Sequence, residues 1–279
     1  MRKTRILFSN NGSITDLTPD LNNYHLGDFT LDDFAFGEDY LYIGNIAPFN
    51  HFYLKLATAN TESLSVDVQY WSGTQWRSVV EVIDETNGLT QSGFITFVPD
   101  RDHAWIQSDT NGTGQTITGL TNVTIYDKYW IRLVLSANPS VTTKISWLGQ
   151  KFSTDNDLGS EYPELLSTNV KTSFEAGKTD WEEQHVRAAE LIVAELTKAN
   201  IIYSKSQILE RHTFMLPSVS KVAEMAYVNF GDDFADQAQN ARAEFKSRIQ
   251  KGIYDIDLNA DAELDTFESN MSNQGFMSR

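Results

Sequence analysis

The hydrophobic period of this chain changes once, near residue 150, and that change constrains the fold more than any other feature. Before it, apolar residues recur at every second position. Leu64, Val66, Val68 and Tyr70 alternate with Ser65, Asp67, Gln69 and Trp71, and Tyr129–Leu135 alternates in the same way. A period of two puts alternate side chains on one face of a strand. Residues 40–46, 51–57, 75–83, 94–98 and 143–148 complete a set of short strands. Turn residues separate them: Asn10-Asn11-Gly12, Ser72-Gly73-Thr74, Asn87-Gly88, Asn111-Gly112-Thr113-Gly114 and Asn138-Pro139. The 72–74 turn joins 64–71 to 75–83 as a hairpin, and 143–148 is expected to pair with 129–135 across Asn138-Pro139. Short strands with no helical pattern between them predict an antiparallel, jelly-roll-like β-sandwich over residues 1–152.

Residues 153–172 are polar and carry Gly159 and Pro163, which predicts a linker with an extended stretch. Beyond it the period becomes helical. Thr179-Asp-Trp-Glu182 has the spacing of a capping box opening a helix to about residue 199, so Thr179→Ala is expected to cost ~1 kcal/mol. Trp181, Val186, Ala189, Ile192, Val193 and Leu196 share one face of that helix. A short helix at 206–212 follows. Another opens near Pro217 and stops at Gly231, and a last one, 234–250, carries Ala235, Ala238, Ala241, Ala243, Phe245 and Ile249. The reading is α+β and multidomain: a sandwich at 1–152, the linker, a bundle of short helices at 173–252 and an extended acidic tail at 253–279.

Charge and composition narrow the function classes. The formal charge is −16, with 10 basic and 17 acidic residues up to Asp155 and 12 and 21 beyond it. Neither half is basic, which argues against gripping phosphate backbones. With no cysteine, disulfides, thiolate metal sites and Cys nucleophiles are excluded, in keeping with synthesis in a cytoplasm. The opening residues lack a secretory pattern, and no apolar run reaches the ~18–20 residues of a membrane span.

The sharpest motif lies in the tail. Residues 257–268 carry Asp257, Asn259, Asp261, Asp265 and Glu268 at positions one, three, five, nine and twelve, with Glu263 at seven offering its carbonyl and Leu264 at eight. Ca²⁺ takes six to eight oxygens, with a bidentate Glu at position twelve closing the shell. The segment resembles an EF-hand or dockerin-type loop, which implies a structural Ca²⁺. It departs from that pattern at position six, where Ala262 replaces the usual Gly, and there is no second loop. The plainer reading is an acidic tail folded against a partner.

No enzyme signature emerges, and a non-enzymatic role is the expectation. The five histidines show no metal-binding spacing, and His185, inside the first long helix, is read as packing or interface. Acidic pairs such as Asp32-Asp33 and Asp232-Asp233 are read as solvated surface. Trp71 and Trp76 flank one turn. They stack across it as packing or, with Tyr70, Trp105 and Trp130, offer a sugar-stacking platform. Trp181 is a further candidate for an interface.

Two stretches carry a wider resemblance. Tyr70-Trp71-Ser-Gly-Thr-Gln-Trp76, with 82–86, 91–93 and Tyr129-Trp-Ile-Arg132, looks like β-domains of phage structural proteins. Residues 181–189, with Ile201-Ile202 and Gln207-Ile-Leu209, resemble the helical connector proteins that ring the portal. The chain is thus similar to neck (head-to-tail connector, or adaptor) virion proteins of tailed bacteriophages. This implies a homo-oligomeric ring docked by its helices and tail to portal and other neck or tail proteins, in a virion assembled in the host cytoplasm. DNA would pass an acidic lumen without sequence-specific binding. The alternative is a carbohydrate- or receptor-binding sandwich of a fibre or baseplate.

Overall fold

The structure, a computed structural model, describes residues 4–272 except 25, 101, 111–116, 121–122, 252, 260, 262–263, 266 and 270. The turn cluster at 111–114, and Ala262 and Glu263 of the acidic loop, therefore lie outside the described residues, as do residues 273–279 of the tail. The chain divides into two compact units, residues 1–149 with 260–262 and residues 150–259 with 263–279. No helix among the described residues is long and apolar enough to cross a membrane.

Among the described residues the first unit holds eleven strands and one short helix: β1 (Arg5–Asn10), β2 (Ser13–Asp16), α1 (Thr18–Leu21), β3 (Phe29–Thr30), β4 (Tyr40–Asn45), β5 (His51–Thr58), β6 (Val66–Trp71), β7 (Trp76–Ser78), β8 (Glu81–Asp84), β9 (Gly93–Val98), β10 (Tyr129–Leu135) and β11 (Lys144–Gly149). They form a six-stranded sheet, β2-β1-β4-β10-β6-β7, and a five-stranded sheet, β3-β11-β5-β9-β8, with every pairing antiparallel. One hydrophobic cluster draws on both. Ile6, Phe8, Leu41, Ile43, Val68, Tyr70, Ile131 and Leu133 come from the larger sheet, and Phe52, Leu54, Ile95, Phe97 and Ile145 from the smaller.

Two pairings differ from the sequence reading. β11 does not join β10. It enters the other sheet between β3 and β5, while β10 lies between β4 and β6. The 75–83 run is also divided, β7 pairing with β6 and β8 crossing to β9. Periodicity fixes which face a residue lies on but not which neighbour its strand finds.

The outer face of the larger sheet is not left to water. Leu7, Tyr42, Trp71 and Trp130 point outward and pack with Ile117, Leu120 and Ile125 in a second cluster. This explains why β1 gave no alternating pattern: Ile6 and Phe8 face one core, Leu7 the other. Trp130 lies against Gly44, its cross-strand partner, where an added Cβ would meet the ring at 2.7 Å.

The second unit is helical: α2 (Asp155–Glu161), α3 (Thr168–Phe174), α4 (Glu182–Lys198), α5 (Met215–Asn229) and α6 (Ala235–Lys251), followed by the short pair β12 (Ile253–Tyr254) and β13 (Met271–Ser272). The expected linker is thus largely helix. Thr154 caps α2 through a capping box with Asp157, and Leu158 and Leu165 are buried. These elements are one or two turns long, too short for periodicity to declare them. Two clusters fill the unit. One joins Leu158, Leu165 and Trp181 to α5 and the start of α6. The other joins Phe152, Ile192, Leu196, Phe214, Phe245 and Ile249 to Tyr254 and Ile256. Tyr254 stacks on Phe214 at 4.8 Å, so the start of the expected tail is part of this core.

The cap of α4 also differs. Trp181 occupies the N-cap position with no side-chain cap, the Glu182 amide bonds Asp180 Oδ1 at 3.1 Å, and the Glu182 carboxylate pairs with buried Lys151. With Asp180 and Lys151 taking both ends of the motif, Thr179 has no capping role. Thr179→Ala should therefore change stability by less than about 0.5 kcal/mol, whereas Thr154→Ala should cost about 1 kcal/mol, both read from urea unfolding of the full chain.

Candidate functional site: the acidic loop

The loop begins where the helical core ends. Ile256 is fully buried, and the next residue, Asp257, is held on both sides of its backbone by Gln207. The Asp257 amide donates to the Gln207 carbonyl (2.9 Å), and Gln207 Nε2 donates to the Asp257 carbonyl (2.8 Å). Gln207 Oε1 in turn accepts from the amides of Tyr203 and Ser204. One buried amide side chain therefore fixes where the loop leaves the bundle.

Glu268 closes the loop. Its Oε1 accepts from the amides of Leu258 (2.7 Å) and Asn259 (3.0 Å), and its Oε2 from that of Asp265 (3.2 Å). Hydrogen bonds to an ionised carboxylate are roughly twice as strong as neutral ones, so this side chain clasps position twelve to positions two and three. Asp265 turns away from the loop interior. Its Oδ1 accepts from the amides of Phe267 (2.7 Å) and Glu268 (3.1 Å), and its carbonyl from Glu268 and Ser269, capping a single exiting turn.

Of the five described residues matched to a calcium loop, three converge. Asp257, Asp261 and Glu268 each bring a carboxylate oxygen within 4.8 Å of the others, with Asp257 and Glu268 buried and Asp261 exposed. Asn259 is exposed and Asp265 is a cap. This donor set is all oxygen and triply acidic, the chemistry of a hard divalent cation. The backbone clasp on Glu268 was not legible from spacing, since the same residue at position twelve serves either as ligand or as lock.

The remaining candidates do not form a surface site. Trp71 is buried and lies opposite Trp76, the rings edge to face at 5.2 Å. Trp76 Nε1 bonds the Thr118 carbonyl, and the Arg132 guanidinium sits over the Trp76 and Tyr40 rings while its Nε bonds Gln69. Trp130 is fully buried. The aromatic platform is thus occupied by the protein itself. Burying an aromatic side chain removes on the order of 150–250 Å² from water, worth about 4–6 kcal/mol.

Trp181 and His185 are also buried. Trp181 Nε1 donates to the Leu165 carbonyl at 2.8 Å and its ring meets Phe174 edge to face. His185 Nδ1 is 2.7 Å from Ser153 Oγ, which is 2.7 Å from Ser218 Oγ. His185 Nε2 lies 3.3 Å from Asp155 Oδ1 without the alignment of a formed hydrogen bond, so Asp155 acts on the ring through its charge. The residue types are those of a nucleophile, a base and an acid. Ser153 and His185 are both fully buried, however, which closes the arrangement to an external substrate. It joins three elements: Asp155 in α2, His185 in α4 and Ser218 in α5.

No protein-family model matches the chain, and no curated protein matches it.

Burial pushes His185 below its ordinary value of 6.5, and nearby Lys151 adds to this against the opposing pull of Asp155. Burial alone would raise Asp155, but His185, the Trp181 amide and Lys171 together hold it below 3.8. As pH falls through 6.5 the unfolded chain binds a proton at this histidine that the native state refuses. The histidine therefore costs stability on acidification, by at most about 1.4 kcal/mol per pH unit. Thermal unfolding at pH 7.5 and pH 5.5 should show a larger loss for the wild type than for His185→Gln. Equal losses would assign the pH dependence elsewhere.

Proposed function

We propose that this protein is a structural component of a tailed-phage virion, a ring-forming head-to-tail connector of the neck. Its helical unit and C-terminal segment dock to portal and neighbouring neck proteins, and its first unit is a jelly-roll-like sandwich. The observation that carries the proposal is the construction of the helical unit. It is a bundle with its own core, ending in a loop anchored at Gln207 and clasped by Glu268. A charge of −16 supports a lumen past which DNA moves without adhering. The fibre or baseplate reading draws less support, because it needs an exposed aromatic face, and Trp71 and Trp130 are buried while Arg132 covers Trp76. Electron microscopy of the assembled particle, with this chain labelled, tests the proposal. Density at the head–tail junction is expected, and label on a fibre or baseplate would replace it with the alternative.

Within this reading Asp257, Asp261 and Glu268 hold a structural Ca²⁺. Calorimetry on the full chain should register Ca²⁺ binding, weakened sharply by Glu268→Gln. Absence of heat with the wild type would remove the ion and leave Glu268 as a clasp alone.

A further inference from the structure

His185 of α4 is sealed from water at a point where several segments of the helical unit meet. Ser153, ahead of α2, touches its Nδ1 and passes the contact on to Ser218 of α5, and Asp155, the first residue of α2, faces its Nε2. The charged groups around the ring are balanced among the described residues. Asp155 pairs with Lys171 of α3, and Lys151 pairs with Glu182 of α4. α5 faces the cluster with the uncharged Ser218. Two anions thus meet two cations, and a neutral ring keeps the sum at zero.

A proton on the ring breaks that balance. It puts a fifth, uncompensated charge on a side chain that water does not reach, which is strongly unfavourable. A cationic ring also carries two N–H groups in need of acceptors. Nδ1 has Ser153 Oγ at 2.7 Å, but Nε2 has no hydrogen-bond partner among the described residues. Turning Asp155 to serve it would disturb that carboxylate's bonds to the Trp181 amide and to Lys171. Proton binding therefore favours any state that lets water reach the ring.

Which segment yields depends on how each is held. α4 contributes seven buried residues, among them Ala189, Ile192 and Leu196, and α5 contributes nine. Residues 155–174 contribute two, Leu158 and Leu165, and α3 none. Their other ties are the Tyr227 hydroxyl to Glu164, the Tyr162 hydroxyl to Glu244 and Arg248 to Glu161. A segment with so little buried surface opens at a lower free energy than the core beneath it.

We propose that His185 is an acid-operated latch: a proton on its ring releases residues 155–174 from α4 and α5, while α4, α5 and α6 stay packed on one another. Release uncovers Trp181, whose indole is bonded to the Leu165 carbonyl and whose ring meets Phe174. Ala188, Val222 and Ala223 belong to the same cluster, so the opened unit presents an apolar face. The stability that acid removes is local, and the latch does not depend on the connector reading.

Hydrogen exchange of the full chain at pH 7.5 and pH 5.5 tests the latch, with rates converted to protection factors so that the intrinsic pH dependence of exchange drops out. Protection across 155–174 should fall by up to about tenfold for the pH unit below 6.5, while α5 and α6 keep theirs. His185→Gln, uncharged at both pH values, should hold the segment's protection constant. His212→Gln, at an exposed histidine of the same unit, should behave as the wild type. Wild-type protection in 155–174 that is the same at both pH values, or that falls equally across α4, α5 and α6, would overturn the latch whether or not the Gln variant folds. A fall that persists in folded His185→Gln would overturn it too and assign the opening to other groups.

Discussion

The Asp155 carboxylate is a negative charge drawn into the helical unit at the first residue of α2, and the entry to α4 is arranged around satisfying it. Its Oδ1 accepts from the Trp181 amide at 3.0 Å and faces His185, while its Oδ2 meets Lys171 Nζ at 3.1 Å. A part-buried carboxylate without partners would cost several kcal/mol or protonate. Its partners come from α3, the start of α4 and the turn before it, so those elements must converge on one point. Trp181 then fills the space so defined, its indole bonded to the Leu165 carbonyl. The short helices 155–174 are consequently part of the bundle.

The β-unit solves a different problem. A sheet with a second apolar face must cover it, and here the residues around 117–125 do so by packing on Leu7, Tyr42, Trp71 and Trp130. The same packing removes those tryptophans from any recognition role. Arg132, lying over Tyr40 and Trp76, shows how a cation closes the edge of such an aromatic layer.

β6 and β10 were legible from their alternation, a period of two along the chain, and β4, covered on both faces, from its short apolar run. β1 was not, since Ile6, Leu7 and Phe8 make too short an apolar run to tell strand from helix. The face of α4 was legible from Val186 to Leu196, but its cap was not. Thr179 and Glu182 have the capping spacing, and the decision lay with Asp180 next door and with Lys151, distant in sequence. In the acidic loop Asp257, Asp261 and Glu268 lie together, while Asp265 caps the exiting turn.

The sequence by itself determined the division into a strand-forming first part and a helix-forming second part, the main elements of each, the acidity of both, and a loop whose carboxylates converge. Hydrophobic period and local oxygen spacing are properties of neighbouring residues, so they survive without knowledge of the fold. Only the tertiary structure decided which strand pairs with which, that the tryptophans are core, that Tyr254 and Ile256 belong to the bundle, and that Ala235 and Ala243 face outward. Those outcomes depend on which distant surface arrives to cover a residue. Burial is a relation between segments far apart in the chain, and no local pattern encodes its partner.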